Sequence, residues 1–424
     1  MLRIIKGGDT EALQKISKRS QLDYGDTARI VGDIISDVRE RGDAALFEYA
    51  KKFDGADISE LEVSRDDLKN AHKEIGADIL RIMTRSAGRV REFHEKQKRN
   101  GYIEPFALGE LMGQLLRPLE RVGVYVPGGQ AMYPSSVIMN VIPAKVAGVS
   151  EIIMATPPDK KGGVSPLILA AAELSGVDRV FKMGGAQAVA AFAHGTQSVP
   201  KVDKITGPGN IYVALAKRAV YGYVSIDSIA GPSEILIIAD ETANPVFVAA
   251  DLLSQAEHDE LAAAILITVS EEFAREVAAE LQKMTARLPR KEIIQKSLEN
   301  YGAIIVTESI AEAVTIANRL APEHLELCVG EPFHLLPAIK NAGAVFLGNY
   351  TPEPLGDYMA GPNHVLPTGG TARFFSPLGV DDFIKKTSVL SFGKSAFETL
   401  AADCAEFAEA EGLFAHANSI RVRL

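Results

Sequence analysis

Between residues 123 and 347, short apolar runs alternate with segments of helical length. Most runs are followed closely by Gly or Pro, and several then by a helical pattern, as at 134–147 and 186–194. Apolar runs bounded by turns and separated by helices predict parallel strands with crossover helices. The predicted strands fall into two series, 123–126, 151–155, 180–183, 204–205 and 224–226, then 235–239, 264–269, 303–306, 325–329 and 344–347.

Two such series in tandem predict two α/β domains of similar architecture. In sheets of this kind, ligands bind outside the carboxyl ends of the strands, so we expect the functional site there. The segment 24–98 has apolar residues at helical spacing among many charges, and it predicts about three amphipathic helices that serve as a platform.

The last segment, 381–424, again has a helical pattern with one apolar face. Phe397, Leu400, Cys404 and Phe407 lie on that face. A terminal amphipathic segment must bury such a face on its own body or on a second subunit. The pattern alone leaves both possibilities open.

The composition is that of a globular protein without a membrane segment. The chain has 424 residues, enough for about two or three domains. Its net charge of −10 argues against a nucleic-acid binder. No uncharged apolar stretch approaches the ~20 residues of a membrane span, and the charged first 22 residues do not fit a secretory signal. Two cysteines form no disulfide framework, so we expect a soluble protein of the reducing cytoplasm.

Neither a GxGxxG fingerprint after a strand nor a P-loop is present. Gly-rich loops follow three predicted strands of the first series, at 127–129, 184–187 and 207–210. Each loop alone fits a tight strand-to-helix turn as well as an anion site. Together they favour a phosphate-bearing cofactor.

Histidines in polar surroundings carry the more specific signals. Gln255 and His258 are three residues apart on one helical face and could provide two ligands to one metal, although such a pair also fits a solvated helix end. Pro322 predicts a helix start that would present Glu323 and His324, a pair suited to repeated proton transfer or to an ordinary acidic first turn.

The Pro- and Gly-rich segment 350–364 is a long loop of the kind that is often functional, and it carries Asp357 and His364. Cys328 fits a buried strand thiol better than a nucleophile, because nothing near it in sequence would lower the pKa of its thiol.

Seven long motifs occupy 121–129, 184–188, 201–210, 230–234, 253–258, 321–326 and 361–368. In sequence and in their order along the chain, these motifs closely resemble the histidinol dehydrogenase family, and the resemblance runs from the amino-terminal helices to the end of the chain.

The resemblance implies a two-step oxidation of L-histidinol, through L-histidinal, to L-histidine, the last step of histidine biosynthesis. It also implies reduction of two NAD+ and one Zn2+ per subunit. The implied acid/base pair is Glu323 and His324. The implied zinc ligands are Gln255, His258, Asp357 and His416. The implied substrate contacts are Ser233, Gln255, His258, His324, Asp357, His364, Glu411 and His416. The implied NAD contacts are Tyr125, Gln187 and Asn210.

The implied fold is α/β, with two tandem incomplete Rossmann-like domains similar to those of aldehyde dehydrogenases, plus helical amino- and carboxy-terminal segments. Such domains lack the usual glycine fingerprint. We expect an arm at 1–22, a helical region at 23–122 that packs with the second domain, a nucleotide-side domain at 123–233, a second domain at 234–375 with the metal and acid/base residues, and a helical segment at 376–424. This last segment is expected to cross to the other subunit of a homodimer, so that active sites are shared.

Two other classes of function compete with this one. A related dehydrogenase that acts on another small alcohol, such as a sulfonated diol, would keep the zinc ligands and the Glu–His pair but change the substrate contacts. The presence of both Ser233 and Glu411 argues against it. A subunit that only binds is disfavoured by the presence of Glu323, His324 and all four ligand types.

Overall fold

A computed structural model describes residues 3–9, 25–128, 132–229 and 231–424. The described strands are, in chain order, β1 (Arg3–Lys6), β2 (Tyr102–Pro105), β3 (Leu111–Pro118), β4 (Arg121–Tyr125), β5 (Glu151–Thr156), β6 (Arg179–Lys182), β7 (Lys204–Thr206), β8 (Ser225–Ile226), β9 (Glu234–Ala239), β10 (Ala263–Thr268), β11 (Ala303–Val306), β12 (His324–Cys328), β13 (Ala344–Leu347) and β14 (Ile384–Ser391).

The described α-helices are α1 (Gly25–Arg41), α2 (Asp43–Tyr49), α3 (Arg65–Asn70), α4 (Ala77–Glu95), α5 (Pro134–Ala147), α6 (Pro166–Ser175), α7 (Gly185–His194), α8 (Ile211–Val220), α9 (Pro245–Ala256), α10 (Glu271–Thr285), α11 (Lys291–Tyr301), α12 (Ile310–Leu320), α13 (Pro332–Leu335), α14 (Glu353–Leu355), α15 (Lys394–Ala410) and α16 (Phe414–Arg421). A π-helical turn, Ala50–Asp54, continues α2.

Two parallel sheets form the body of the protein. The first has five strands in the order β6-β5-β4-β7-β8, and the second has six in the order β1-β11-β10-β9-β12-β13. All strand pairs in both sheets are parallel, and the central strands are almost wholly buried, whereas the edge strands β1, β8 and β13 are more exposed. All ten predicted strands are confirmed, with ends that differ by at most two residues, because continuous apolar runs are typical of strands covered on both faces.

Four strands were not predicted from the pattern. β1 adds an edge to the six-stranded sheet beside β11. β2, β3 and β14 form a separate antiparallel sheet in the order β14-β3-β2. The expectation of helix from residue 381 is therefore wrong for 384–391. β14 is partly exposed and mixes polar with apolar residues, so its partner β3, far away in sequence, decides its conformation.

The amino-terminal helices also pack differently from the expectation for 23–122. They cover mainly the five-stranded domain, not the 234–375 domain. α1 packs on α7 and α8, and α4 packs on α5. The physical reason lies in the crossover helices: α5 and α7 are apolar on nearly every side, so each needs a second, amphipathic layer between itself and water. The domain boundaries themselves stay predictions.

The carboxy-terminal helices α15 and α16 form a hairpin whose main contacts are with each other. Large apolar side chains on and beside it lie in solvent in the single chain. They include Leu390, Phe407, Phe414, Val422 and Leu424, each at least 65% exposed. No described helix is long and apolar enough to cross a membrane.

Candidate active site at the amino edge of the six-stranded sheet

Glu323 and His324 lie at the start of β12, beside the start of β9. Two expectations are therefore corrected: this pair opens a strand instead of a helix, and it lies at the amino ends of the strands, not the carboxyl ends. The helix α12 ends before it, because Ala321 takes a left-handed backbone conformation (φ 51°) and Pro322 follows. The chain then enters the sheet in place of a new helix.

The backbone of Glu234 binds both members of the pair. Its N–H donates to Oε2 of Glu323 at 2.8 Å. Its carbonyl oxygen lies 2.9 Å from Nδ1 of His324. A carbonyl can only accept, so Nδ1 carries the hydrogen and Nε2 keeps its lone pair.

Burial shifts the pKa of both groups toward the neutral form. It raises the pKa of Glu323 well above its ordinary value and lowers the pKa of His324 to about 4. His324 Nε2 is buried without a hydrogen-bond partner. It lies 3.8 Å from a carboxylate oxygen of Glu353. A neutral imidazole with a free lone pair is a proton acceptor at neutral pH.

A cluster of imidazoles and carboxylates surrounds this nitrogen. Possible ligand atoms of His324, Glu353 and Asp357 all lie within 4.8 Å of one another. His364 Nδ1 lies 3.6 Å from Asp357. Although burial opposes its ionisation, the side chain of His364 and the imidazoles of His324 and His258 hold the pKa of Asp357 below its ordinary value.

Gln255, at the carboxyl end of α9, is 1% exposed, and among the described residues neither polar atom of its side-chain amide has a hydrogen-bond partner. Buried amides nearly always have partners, since an unmade hydrogen bond costs about 1–3 kcal/mol. His258 follows in the same turn, and Asp357 acts on it electrostatically. Ser254, which precedes Gln255, donates to Glu353 Oε2 at 3.2 Å, so this end of α9 lies beside the cluster. The free oxygen of the Gln255 amide is chemically suited to bind a metal ion.

The segment that follows β13 is tied to both domains. Glu353 N–H donates to Glu326 Oε1 at 2.8 Å, and Gly369 N–H donates to Glu234 Oε1 at 2.7 Å. On the other side, Ser86 Oγ of α4 donates to the carbonyl of Tyr358 at 2.6 Å. These contacts hold the segment that carries Asp357 and His364 against β9, β12 and α4.

The three residues implied in cofactor binding lie elsewhere, at the carboxyl edge of the five-stranded sheet. Tyr125 ends β4, and its hydroxyl accepts from Gly185 N–H at 3.1 Å. Gln187 is buried in the first turn of α7. Asn210 caps α8 by accepting from the N–H groups of the helix's first turn. These loops lie at the carboxyl ends of their strands, which is where sheets of this kind bind ligands; their role in cofactor binding stays a prediction.

Hydrogen bonds to the backbone of Gly207 fix the loop after β7. Gly207 has φ 116°, and a Cβ there would lie 2.0 Å from the carbonyl oxygen of Tyr125, so only glycine fits. Its N–H donates to Asp227 Oδ2 at 2.8 Å and its carbonyl accepts from Lys217 Nζ at 3.0 Å. Lys217 and Asp227 form a buried ion pair. The pair neutralises two buried charges while it fixes the peptide groups on both sides of Gly207.

Some implied site residues are not brought to the cluster. Glu411 and His416 are exposed on the carboxy-terminal hairpin. Ser233 lies beside Glu234 at the start of β9. Gly129 and Ala230, which belong to two of the motifs, fall outside the described residues.

Sequence reasoning missed Glu353, Lys217 and Asp227. Glu353 had a signal, since it lies four residues before Asp357, a spacing that puts two side chains on one helical face. Lys217 and Asp227 had none, because a single charge in an apolar segment does not reveal a partner ten residues away.

Two parallel α/β units, one with glycine-rich loops at its carboxyl edge and one with a buried imidazole–carboxylate cluster at its amino edge, define an α/β enzyme equipped for proton transfer. A family model described as histidinol dehydrogenase matches residues 17–424. The chain belongs to the histidinol dehydrogenase family. It is therefore an oxidoreductase of the last step of histidine biosynthesis.

Similar proteins span the whole chain. A histidinol dehydrogenase of Caldanaerobacter subterraneus is 56% identical over 425 residues, covering 100% of this chain and 98% of that protein. One of Clostridium acetobutylicum is 53% identical over 426 residues, covering 100% and 99%. The crystal structure of histidinol dehydrogenase from Elizabethkingia anophelis superposes with a TM-score of 0.95 at 38% identity, covering 100% of this chain and 98% of that one.

An acetylating aldehyde dehydrogenase from Geobacillus thermoglucosidasius shares the fold alone, with a TM-score of 0.50 at 14% identity, over 90% of this chain and 96% of that one. The expected α/β fold class is thus confirmed.

The burial of the Glu353 carboxyl predicts how the stability of the fold depends on pH. Burial, with the nearby charge of Asp357, raises the pKa of Glu353 to about 8. Between its unfolded pKa of about 4.5 and this value, the folded chain keeps a proton that the unfolded chain loses, so stability falls as pH rises. In metal-free protein, Glu353→Gln should therefore gain stability relative to wild type between pH 5 and pH 8, by more than about 1 kcal/mol.

Urea unfolding at the two pH values measures this gain. Glu398→Gln, at an exposed carboxylate of α15, is the matched control and should show no such pH dependence. If Glu353→Gln changed the free energy of unfolding by the same amount at both pH values, the carboxyl of Glu353 would have to ionise normally.

Proposed function

We propose that this enzyme oxidises L-histidinol to L-histidinal and then to L-histidine, with reduction of two NAD+. The observation that carries the proposal is the pair at the start of β12: a neutral imidazole with a free Nε2, held beside a buried carboxyl. Two successive oxidations at one carbon need one group to remove an alcohol proton and one to activate water. Membership of the family supplies the substrate.

The donor set fits a zinc ion. Gln255, His258 and Asp357 offer one amide oxygen, one imidazole and one carboxylate, which are ligands that zinc accepts. The unpartnered amide of Gln255 is what a missing ion would leave behind. When bound, zinc would hold the imidazole and amine nitrogens of histidinol, and NAD+ would accept the hydride.

The chain's own residues handle the protons. His324 Nε2 accepts the hydroxyl proton of histidinol as the carbon loses hydride. Glu323 then removes a proton from the water that adds to the aldehyde, and the resulting hydrate loses the second hydride to give the acid. A carboxyl whose pKa is raised is a stronger base when ionised, which suits it to water activation. Ser233 and His364, beside Glu234 and Asp357 respectively, would contact the substrate.

We also propose a homodimer with shared active sites. His416, as fourth zinc ligand, and Glu411, as a substrate contact, are exposed on a hairpin that packs chiefly on itself. The exposed apolar side chains of the hairpin need a cover, and exchange of a terminal element between two copies provides it.

For the dinucleotide we propose contacts from Tyr125, Gln187 and Asn210, at the carboxyl edge that open α/β sheets use for such ligands. Both cysteines are free, which fits the cytoplasm proposed as the protein's location.

The zinc assignment predicts the effect of Gln255→Leu, which should weaken zinc binding at least about tenfold, because changes even in groups that only support ligands cost 10–100-fold. Stability of the metal-free protein should not fall, since the substitution removes an unpartnered buried amide. Equilibrium dialysis and elemental analysis measure the binding. His194→Asn, at the end of α7, is the control and should leave zinc binding unchanged. Wild-type affinity in Gln255→Leu would refute the assignment.

The reaction itself predicts two NADH per histidinol consumed, measured at 340 nm with other amino alcohols as comparison substrates. Glu323→Gln should slow oxidation of histidinal by a factor of ~10²–10⁴ while it affects the first hydride transfer less, because His324 remains. His324→Asn should slow the first step most. If the two variants slowed both half-reactions by the same factor, the division of roles would be wrong.

A further inference from the structure

Asp54 carries a buried carboxylate oxygen that has no partner among the described residues. Asp54 ends the π-helical turn that continues α2, and within the described part of the chain its Oδ2 makes no hydrogen bond. Among the described residues, no cation offsets its charge, and burial alone raises the pKa of its carboxyl to about 6. By contrast, Asp57, three residues on, is exposed and pairs with Lys51.

The position of Asp54 in the fold is the carboxyl edge of the five-stranded sheet. Its Oδ1 lies 3.3 Å from where a Cβ of Gly184 would stand, in the loop after β6. Pro157, which follows β5, approaches that same point and also Gly128, which follows β4. Asp54 therefore lies where the loops after three neighbouring strands meet, in the region of the proposed dinucleotide contacts.

The neighbouring groups select the kind of ligand. The first N–H of α7, on Gly185, is already bonded to the hydroxyl of Tyr125, so it is not free for a phosphate. A carboxylate beside it repels anions. Neutral hydroxyl groups, which donate hydrogen bonds, are the ligands that an unpartnered carboxylate can hold.

We propose that Asp54 is a specificity-determining residue that accepts hydrogen bonds from the vicinal diol of a ribose of the dinucleotide. This inference rests on the proposed use of NAD+ and adds a residue and a selectivity to it. Carboxylates bind the ribose 2′-hydroxyl in many dinucleotide folds, where they stand about 20 residues after the fingerprint. In this protein the carboxylate would come instead from an amino-terminal helix that lies outside the sheet.

The ribose is that of the adenosine half. β5 and β6 stand at the side of the sheet opposite β8, and it is from β8 that the chain continues toward the second domain and the acid/base pair. The nicotinamide must reach that pair, so the adenosine half lies toward β5 and β6. A 2′-phosphate on this ribose would meet the carboxylate, and the site would reject NADP+.

Three variants and four cofactors test the proposal. Asp54→Ala and Asp54→Asn are compared with wild type and with the control Asp57→Asn. The cofactors are NAD+, NADP+ and the two NAD+ analogues that lack the 2′-hydroxyl of the adenosine or the nicotinamide ribose. Steady-state oxidation of histidinol gives kcat and KM for each, and thermal unfolding without ligand reports folding.

In Asp54→Ala the KM for NAD+ should rise about tenfold or more, as expected for a lost hydrogen bond to a charged group, while kcat and the KM for histidinol change little. The preference for NAD+ over NADP+ should fall at least about tenfold. Wild type should discriminate against the adenosine 2′-deoxy analogue, and Asp54→Ala should not. Asp54→Asn should unfold no earlier than wild type, because the carboxylate has no partner to lose. Asp57→Asn should match wild type throughout.

Equal discrimination among the four cofactors by wild type and Asp54→Ala would overturn the inference while leaving the proposed function intact. Loss of discrimination against the nicotinamide analogue alone would overturn the assignment to the adenosine ribose. If Asp54→Asn unfolded at a lower temperature than wild type while its KM for NAD+ stayed unchanged, Asp54 would have a structural role instead. A wild-type enzyme that reduces neither NAD+ nor NADP+ would overturn the proposed function and this inference with it.

Discussion

One residue, Glu234, organises the candidate active site. Its backbone N–H binds Glu323, its backbone carbonyl binds His324, and its side chain binds the loop at Gly369. The register of β9 with β12 puts the backbone of Glu234 opposite the pair. Because every strand around it is buried and parallel, the register cannot slip without moving the apolar core, and so the geometry of the pair is as rigid as the sheet.

This constraint explains why the chemistry stands at the amino edge of the six-stranded sheet. Crossover helices run opposite to the strands, so the carboxyl end of α9 delivers Gln255 and His258 to the same edge where β9 and β12 begin. The segment after β13 returns there with Glu353 and Asp357. The five-stranded sheet presents its glycine-rich loops at its carboxyl edge. The two sheets thus contribute opposite edges: one for proton transfer, and one for the proposed dinucleotide.

The sequence predicts well what depends on local pattern. Buried parallel strands are continuous apolar runs, so all ten predicted strands are confirmed. The grouping of Gln255, His258, Asp357 and His324 that the motif resemblance implies stays a prediction. The sequence predicts poorly the features that depend on partners far away along the chain. β14 is a strand only because β3 pairs with it, and Pro322 with Glu323 suggested a helix start because the sheet that captures His324 is not visible locally. Asp54 and the pair Lys217–Asp227 were missed for the same reason, since the significance of a charge depends on what surrounds it in space.

We propose that a second subunit completes the site at this edge, with His416 of the exposed carboxy-terminal hairpin. Mixing inactive His258→Asn with inactive His416→Asn protein, under conditions of demonstrated subunit exchange, tests it directly. If each site combines His258 of one chain with His416 of the partner subunit, half of the dimers regain one good site of two, and activity should approach about a quarter of wild type. No recovery after exchange would contradict the claim and return His416 to its own chain.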